Sequence, residues 1–564
     1  MTTLDRAKSW LEQDPDPETR AELEALIPAA ESGDAAAMDA LRDRFDTRLT
    51  FGTAGLRGEL GAGSNRMNRV LVAQAATGFA RWLLERDEAP STEPPSVVIG
   101  YDGRVNSDVF ARDSAELMAG AGVRVVLLPR ALPTPVLAFA VRHLGMSAGV
   151  MVTASHNPPR DNGYKVYLGG RDGGSQIVAP TDEAIHQAIL AVAETSVVGE
   201  LPRSTDYALA DESVVDAYVD RTAALVTRTA ESPVIEPVRF VYTAMHGVGW
   251  EVARRTFAAA GLGEPTVVAE QIEPDGTFPT VAFPNPEEPG AMDLSFATAR
   301  AADADLIIAN DPDADRLAVA IPDPSAPEGW RRLSGNEVGA LLGWRAAERL
   351  QREERQAKFA ASLVSSPALA AVAGAYGVSY SDTLTGFKWI SRVGGLAYGY
   401  EEALGYLVDP EKVRDKDGIS AAVDLLALAG ELKAAGRTLA DHQRDFDERF
   451  GAFASAQVSL RVTDLSRIGA IMAALRDSPP NEIGGVRVSQ VDDFSGGFGV
   501  FPPSDILRFW MYGGARVIVR PSGTEPKVKV YIDASSGQGS VDERRAAAQA
   551  VVAALEAGMR QLIV

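Results

Sequence analysis

The feature that most constrains this chain is an alternation of short apolar runs with helix-period segments, in which each run stops at a polar loop. Residues 96–101, 123–128 and 148–152 read as strands, separated by helices over 69–86, 106–121 and 135–144. The pattern returns with strands over 238–243, 266–268 and 304–309 and a helix over 250–260. It returns again with a helix over 335–351 and strands over 359–364 and 396–400. Repeated β/α alternation requires parallel-rich sheets with helices on their faces. At 153–157, 310–316 and 399–406 a strand ends in a loop dense with Ser, His, Asp or Glu, where ligands of open α/β sheets sit. The expected fold class is therefore α/β, with three similar α/β domains.

The last part differs. Strands over 456–462, 486–488, 516–519 and 527–533 and helices near 465–475 and 541–559 indicate a smaller C-terminal α+β domain. Residues 1–50 read as a helical extension, with Leu23, Leu26 and Ile27 spaced to face a core. Hydrophilic junctions near 195–210, 322–332 and 440–452 give expected domains of 1–205, 206–321, 322–445 and 446–564. A length of 564 residues exceeds what one hydrophobic core supports, which is about 250–300 residues.

Composition excludes several functions. The net charge of −22 argues against general affinity for nucleic acid or an anionic membrane. It permits a small anionic substrate, because a local Arg/Lys cluster outweighs remote charge beyond a screening length of about 8–10 Å. Cysteine is absent, which removes disulfide and thiolate chemistry. The N-terminus lacks an apolar signal-like core and no run of 18 uncharged apolar residues occurs, so the default expectation is a cytoplasmic protein without a membrane span.

The stretch SAGVMVTASHNPPRDNGYKVY (147–167) carries the sharpest local signal. Its apolar run ends at Thr153-Ala154-Ser155-His156-Asn157, and Pro158-Pro159 stop any ladder or helix there. Ser155 is thus displayed on a stiff loop at a strand end. It reads either as a turn residue or as a nucleophile. The flanking T-A-S-H-N is not a G-x-S-x-G elbow, and neighbours in an extended segment point apart, which disfavours a Ser155–His156 dyad. The five histidines include no pair at metal-ligand spacing.

Asn310-Asp311-Pro312-Asp313-Ala314-Asp315-Arg316 puts carboxylates at i, i+2 and i+4, able to converge on one hard cation. A calcium-binding EF-hand is disfavoured, since its sixth and twelfth positions would be Arg316 and Pro322. Few carboxylates with open sites suit Mg²⁺ beside a phosphate; the bland alternative is a solvated acidic turn. Arg520-Pro521-Ser522-Gly523-Thr524 offers a guanidinium, hydroxyls and an approachable backbone, either a phosphate cradle or a simple turn. Glu401 and Glu402 in GYEEALGY could accept hydrogen bonds from sugar hydroxyls, and Lys388 in TGFKWI could reach a phosphate; both are weak signals in isolation.

Together these stretches resemble the α-D-phosphohexomutase family, in its phosphoglucomutase/phosphomannomutase branch with the phosphopentomutases. FGTAGLRG (51–58), GYDGR (100–104), TASHNP (153–158), NGYK (162–165), MHGVG (245–249), DGTFPT (275–280), NPEEP (285–289), DPDADR (311–316), TGFKWI (385–390), GYEEALGY (399–406) and RPSGTEP (520–526) occur in family order. The resemblance implies three α/β domains and a smaller fourth around a central cleft. It implies a mutase that interconverts sugar 1-phosphate and 6-phosphate through a phosphoserine at Ser155 and a sugar bisphosphate, which serves as activator and intermediate. One Mg²⁺ per chain would be held by Asp311, Asp313 and Asp315 with a Ser155 phosphate oxygen. Arg57, Lys165, His156 and Arg316 would lie at the reacting phosphate, Lys165 as proton donor or acceptor. Gly386, Phe387 and Lys388 would form a specificity loop, Glu401 and Glu402 would read the sugar, and Arg520, Ser522, Gly523 and Thr524 would hold the distal phosphate. The implied partner is a small phosphosugar. Ala403 stands where some relatives carry serine. Glucose, mannose and pentose stay unresolved, and a phosphopentomutase, a sugar-1,6-bisphosphate synthase and a non-catalytic phosphosugar-binding protein remain the alternatives.

Overall fold

The computed structural model describes residues 1–86, 94–226, 233–326, 328–462, 464, 466–522 and 527–563. The described chain separates into two compact units, residues 1–333 with 405–430, and residues 334–404 with 431–564.

In the first unit one sheet runs in the order Leu56–Glu59, Asp161–Leu168, Ala148–Val152, Ser96–Tyr101, Arg124–Leu127, Ala208–Leu209. Its central strands, Ser96–Tyr101 and Ala148–Val152, are parallel and almost wholly buried and apolar, as strands covered on both faces are. Helices Arg69–Glu85, Ser107–Gly120 and Thr134–His143 match the expected spans within two residues. A second sheet runs Trp330–Arg332, Leu317–Pro322, Leu306–Asn310, Phe240–Thr243, Thr266–Val267. The N-terminal extension forms helices Thr3–Gln13, Pro17–Glu31 and Ala35–Phe45, which bury Leu23 and Ile27 and leave Leu26 half-buried against the same core. No described helix is long and apolar enough to cross a membrane.

In the second unit, Ser379–Thr383, Lys358–Ser362 and Leu396–Glu401 are parallel neighbours. The C-terminal sheet is antiparallel, in the order Ala452–Arg461, Lys527–Ser536, Arg516–Pro521, Leu507–Met511, Val486–Asp493, Glu482–Ile483. Helix Val541–Ile563 buries Val552, Leu555 and Met559 in the same core as Val517 and Val530 of that sheet.

The structure adds strands that periodicity missed. Asp161–Leu168 resumes two residues after Pro159 and pairs antiparallel with Ala148–Val152, so the first sheet is mixed. Leu317–Pro322 and Leu507–Met511 are further strands, short apolar runs of the same kind as those already read, which the sequence reading passes over. The hydrophilic junction expected near 440–452 instead holds most of a helix, Leu439–Phe450. A capping box of Thr438 and Asp441 starts it, and Leu439 and Phe446 lie on its buried face.

Candidate active site

Ser155 sits beyond strand Ala148–Val152 with φ +54°, a left-handed conformation uncommon for a residue other than glycine. Its backbone N–H donates to Thr153 Oγ1 (2.8 Å), and Thr153 Oγ1 donates to Asp102 Oδ2 (2.6 Å). The side chain is buried, and Oγ donates to Asp311 Oδ2 (2.8 Å) and lies 3.2 Å from His156 Nδ1. The left-handed turn overturns the extended-segment argument, because it brings neighbouring Ser155 and His156 side chains together.

Asp311, Asp313 and Asp315 leave the end of strand Leu306–Asn310 fully buried. Alternate positions bring their oxygens together, with one oxygen of each within 4.8 Å of the others. A tight turn through Ala314 (φ +54°) closes the loop, with Arg316 N–H donating to Asp311 Oδ1 at 3.0 Å. Asp313 Oδ2 accepts from Thr134 Oγ1 (2.6 Å) and Lys165 Nζ (2.7 Å). Asp315 Oδ2 accepts from Lys165 Nζ (3.0 Å) and lies 3.2 Å from Lys416 Nζ. The other oxygens, Asp313 Oδ1 and Asp315 Oδ1, are buried and accept no hydrogen bond among the described residues. Three converging carboxylates, two of them with a buried oxygen that accepts no hydrogen bond among the described residues, are hard donors that fit a small divalent cation.

The electrostatics follow from that crowding. Burial, then Asp313 and Asp315, push the Asp311 carboxyl well above the usual range. Burial also acts upward on Asp315, but Lys165, Lys416 and Arg316 overcome it and hold that carboxyl far below the usual range. Asp313 is lowered as well, because Lys165 and Thr134 outweigh burial and Asp315. Burial alone would discharge Lys165, but Asp313 and Asp315 raise it, so it is an ammonium at neutral pH. Burial, then Arg316 and Arg57, drive His156 well below its ordinary value, leaving a neutral imidazole beside Ser155.

Arg57, on strand Leu56–Glu59, donates from Nη1 to Asn157 Oδ1 (3.2 Å). Arg316 Nε lies 3.8 Å from both Asp311 Oδ2 and Asp315 Oδ1. Ser155, His156, Arg57, Lys165, Arg316 and the three aspartates thus converge in the first unit. In the second unit, Gly386 (φ +104°) precedes the helical turn Phe387–Ile390, in which Phe387 is buried. Glu401 ends strand Leu396–Glu401, and Glu402 accepts from Ser362 Oγ (3.0 Å) and Ser365 Oγ (3.1 Å). Arg520 lies on strand Arg516–Pro521, and Ser522 N–H donates to Lys527 O at 2.8 Å. Gly523 and Thr524 lie outside the described residues.

Sequence reasoning missed Asp102, Arg104, Thr134 and Lys416. Asp102 and Arg104 lie in the GYDGR stretch, whose charged pair after an apolar run was a usable signal. Thr134 and Lys416 have no local signature, since long-range packing brings them to the aspartates.

Comparison with known proteins matches four consecutive domain families. They are described as phosphoglucomutase/phosphomannomutase alpha/beta/alpha domain I (residues 48–196), domain II (216–324), domain III (334–448) and C-terminal domain (460–550). A "Probable phosphomannomutase" of Haemophilus influenzae is 55% identical over 497 residues, covering 88% of this chain and 98% of that protein. A "Phosphopentomutase" of Mus musculus is 35% identical, covering 94% and 90%, and a "Phosphoglucomutase" of Staphylococcus aureus is 33% identical, covering 87% and 90%. Among solved structures, a phosphoglucomutase/phosphomannomutase family protein of Burkholderia thailandensis shares the fold, with TM-score 0.68 at 22% identity, over 92% of this chain and 97% of that one.

Proposed function

The chain belongs to the phosphoglucomutase/phosphomannomutase family of phosphosugar mutases, and from that premise we propose that it interconverts a hexose 1-phosphate and 6-phosphate with Ser155 as phosphoryl carrier. One observation carries the assignment of the carrier: a buried serine hydroxyl 2.8 Å from the first aspartate of a three-carboxylate cluster. The hexose reading rests on 55% identity to a probable phosphomannomutase, against 35% to a phosphopentomutase.

Asp311, Asp313 and Asp315 would hold Mg²⁺ together with a serine-phosphate oxygen, and the ion would supply charge neutralisation at the transferring oxygens. The chain's own groups do the rest. The hydroxyl of a bound sugar monophosphate attacks phosphorus as the P–Oγ bond breaks; Ser155 Oγ takes a proton from the Lys165 ammonium, and the proton released by the attacking hydroxyl recharges Lys165, so that a serine hydroxyl and a sugar bisphosphate result. Arg316, Arg57 and Lys165 stabilise charge on the transferring group. Lys165 is charged between Asp313 and Asp315, so in this arrangement it is a proton donor. Neutral His156 contacts Oγ through Nδ1. The resulting bisphosphate reorients and returns its other phosphate to Ser155. Glu401, Glu402 and Lys388 are proposed to bind the sugar, and Arg520 and Ser522 the distal phosphate.

The test is intact-mass detection of one phosphate on Ser155, followed by turnover with glucose, mannose and ribose 1-phosphates in the presence of catalytic bisphosphate. Hexose turnover with a Ser155-bound phosphate is expected. Preferential ribose turnover would transfer the assignment to a phosphopentomutase, and an unphosphorylated but active protein would remove Ser155 from it.

A further inference from the structure

The phosphoryl-transfer steps make no use of Arg104, one of several buried cations among the described residues. Arg104 is 3% exposed and, among the described residues, makes no hydrogen bond or ion pair to the three aspartates. Its guanidinium instead faces the inside of the serine loop. Nη1 donates to Pro158 O (2.8 Å) and Asp161 O (3.0 Å), and Nη2 donates to Asn157 O (2.7 Å) and Ser155 O. Pro158 and Pro159 supply no N–H to the loop, whose own backbone bonds include Asn157 N–H to Ala154 O (3.1 Å) and Asp161 N–H to Pro158 O (3.0 Å), and Arg104 adds donors to four of its carbonyls. A planar fork of N–H donors serves those carbonyls in a way an ammonium cannot.

The circuit closes on Asp102. Its Oδ2 accepts from Thr153 Oγ1 (2.6 Å) and lies 3.5 Å from Arg104 Nε, and its Oδ1 accepts from Ser107 Oγ (2.7 Å) and Arg104 N–H (3.0 Å). Thr153 Oγ1 in turn receives the Ser155 N–H. Asp102 therefore grips Ser155 from both sides, at its N–H through Thr153 and at its carbonyl through Arg104. A left-handed serine is strained, and such backbone persists where its surroundings over-determine it.

The DGTFPT motif covers the same arginine. The Phe278 ring lies 4.9 Å from the guanidinium carbon. Gly276 packs so closely that a Cβ there would stand 2.7 Å from Val105 N and 2.9 Å from Gly103 O. His246 of the MHGVG motif shares Thr280 with Gln271, which fixes the segment that carries Phe278.

We propose that Arg104 is a positioning residue for phosphoryl transfer, holding Ser155 in its strained conformation from within a clamp of Asp102, Thr153 and Phe278. This rests on the reading of Ser155 as the phosphoryl carrier. The clamp acts on the carrier and not on the sugar, so its loss lowers kcat and leaves KM in place.

The test uses the full chain and compares Arg104→Lys, Thr153→Val and Thr153→Ser with wild type and Ser155→Ala. Arg104→Lys keeps the charge opposite Asp102 but loses the fork. Thr153→Val keeps the shape but cuts the link from Asp102 to Ser155, and Thr153→Ser restores the hydroxyl. The expected result is a kcat loss of about 100-fold for Arg104→Lys and about 10-fold or more for Thr153→Val, the scale of a small misplacement at a reacting centre. KM should stay within about threefold, and Thr153→Ser should recover most of the activity. Wild-type kcat in folded Arg104→Lys, or a rise in KM that accounts for the loss, overturns the proposal. If Arg104→Lys does not fold, the threonine pair decides: equal kcat in Thr153→Val and Thr153→Ser overturns it. An active Ser155→Ala would sink the carrier reading itself. An inactive Ser155→Ala beside a fully active Arg104→Lys would sink only the clamp.

Discussion

Ser155 Oγ donates to Asp311 Oδ2 at 2.8 Å, although 156 residues separate the two in the chain. Two strand ends, one in each sheet of the first unit, meet at that contact. The serine is held by backbone anchors, and the aspartate belongs to a buried three-carboxylate cluster in which burial, then Asp313 and Asp315, push its own carboxyl well above the usual range. A divalent cation and a phosphorylated serine would reorganise that balance.

Ser155→Ala is expected to lower mutase kcat by about 10⁴-fold or more, as loss of a covalent carrier does. The variant should also take up no phosphate from a sugar bisphosphate. Intact mass and a coupled rate assay read the two effects separately, and residual turnover above about one percent of wild type would exclude the covalent route.

Lys165 is buried against Asp313 and Asp315. Replacing it with methionine removes the cation shared by two buried carboxylates, which keep Thr134, Lys416 and Arg316 as partners, and is expected to destabilise the metal-free protein by about 3 kcal/mol. Added Mg²⁺ should restore part of the melting temperature, because a cation binding only the native state stabilises it by mass action. Thermal melts in chelator and in Mg²⁺ measure both parts, and equal melting temperatures in the two conditions would contradict a metal site at the aspartates.

Gly247 of the MHGVG motif approaches the aspartate loop so closely that a Cβ would lie 2.2 Å from Pro312 Cα and 2.3 Å from Pro312 O. Gly247→Ala must displace Pro312, between Asp311 and Asp313. A fall in kcat of about 100-fold is expected, with weakened Mg²⁺ activation. A titration of activity against Mg²⁺ checks this, and an unchanged curve would show that the loop tolerates the shift.

His442 stacks on Trp344 with ring centroids 4.2 Å apart, and burial pushes it down to about 4. The unfolded chain therefore binds a proton that the folded chain does not between about pH 6.5 and 4. Stability from this group is complete above about pH 6.5 and falls as pH drops through that window, by at most about 3 kcal/mol. His442→Phe keeps a stacking ring without titrating. Denaturant unfolding at pH 7 and pH 4.5 should show a smaller drop for the variant, and an identical drop would assign the acid sensitivity to other groups.

The sequence by itself determined much that depends on local order, though the locally capped helix Leu439–Phe450 and the apolar strands Leu317–Pro322 and Leu507–Met511 were missed. Apolar runs such as 96–101 and 148–152 sit in the sheet as read, because a strand buried on both faces needs no partner to be recognisable. The spacing Asp311, Asp313, Asp315 already implied convergence, and Pro158-Pro159 already implied a stiff loop. Tertiary structure alone decided what those local features meet. Asp161–Leu168 became a strand by pairing back on Ala148–Val152, which puts Lys165 opposite Met151 and in reach of Asp313 and Asp315. Thr134, Lys416 and the Arg104 clamp arrive from distant segments, and the left-handed turn at Ser155 is held by anchors outside its own sequence. The physical reason is range. Periodicity and proline act over a few residues, whereas a buried charge finds its partner only where packing excludes water and leaves no other.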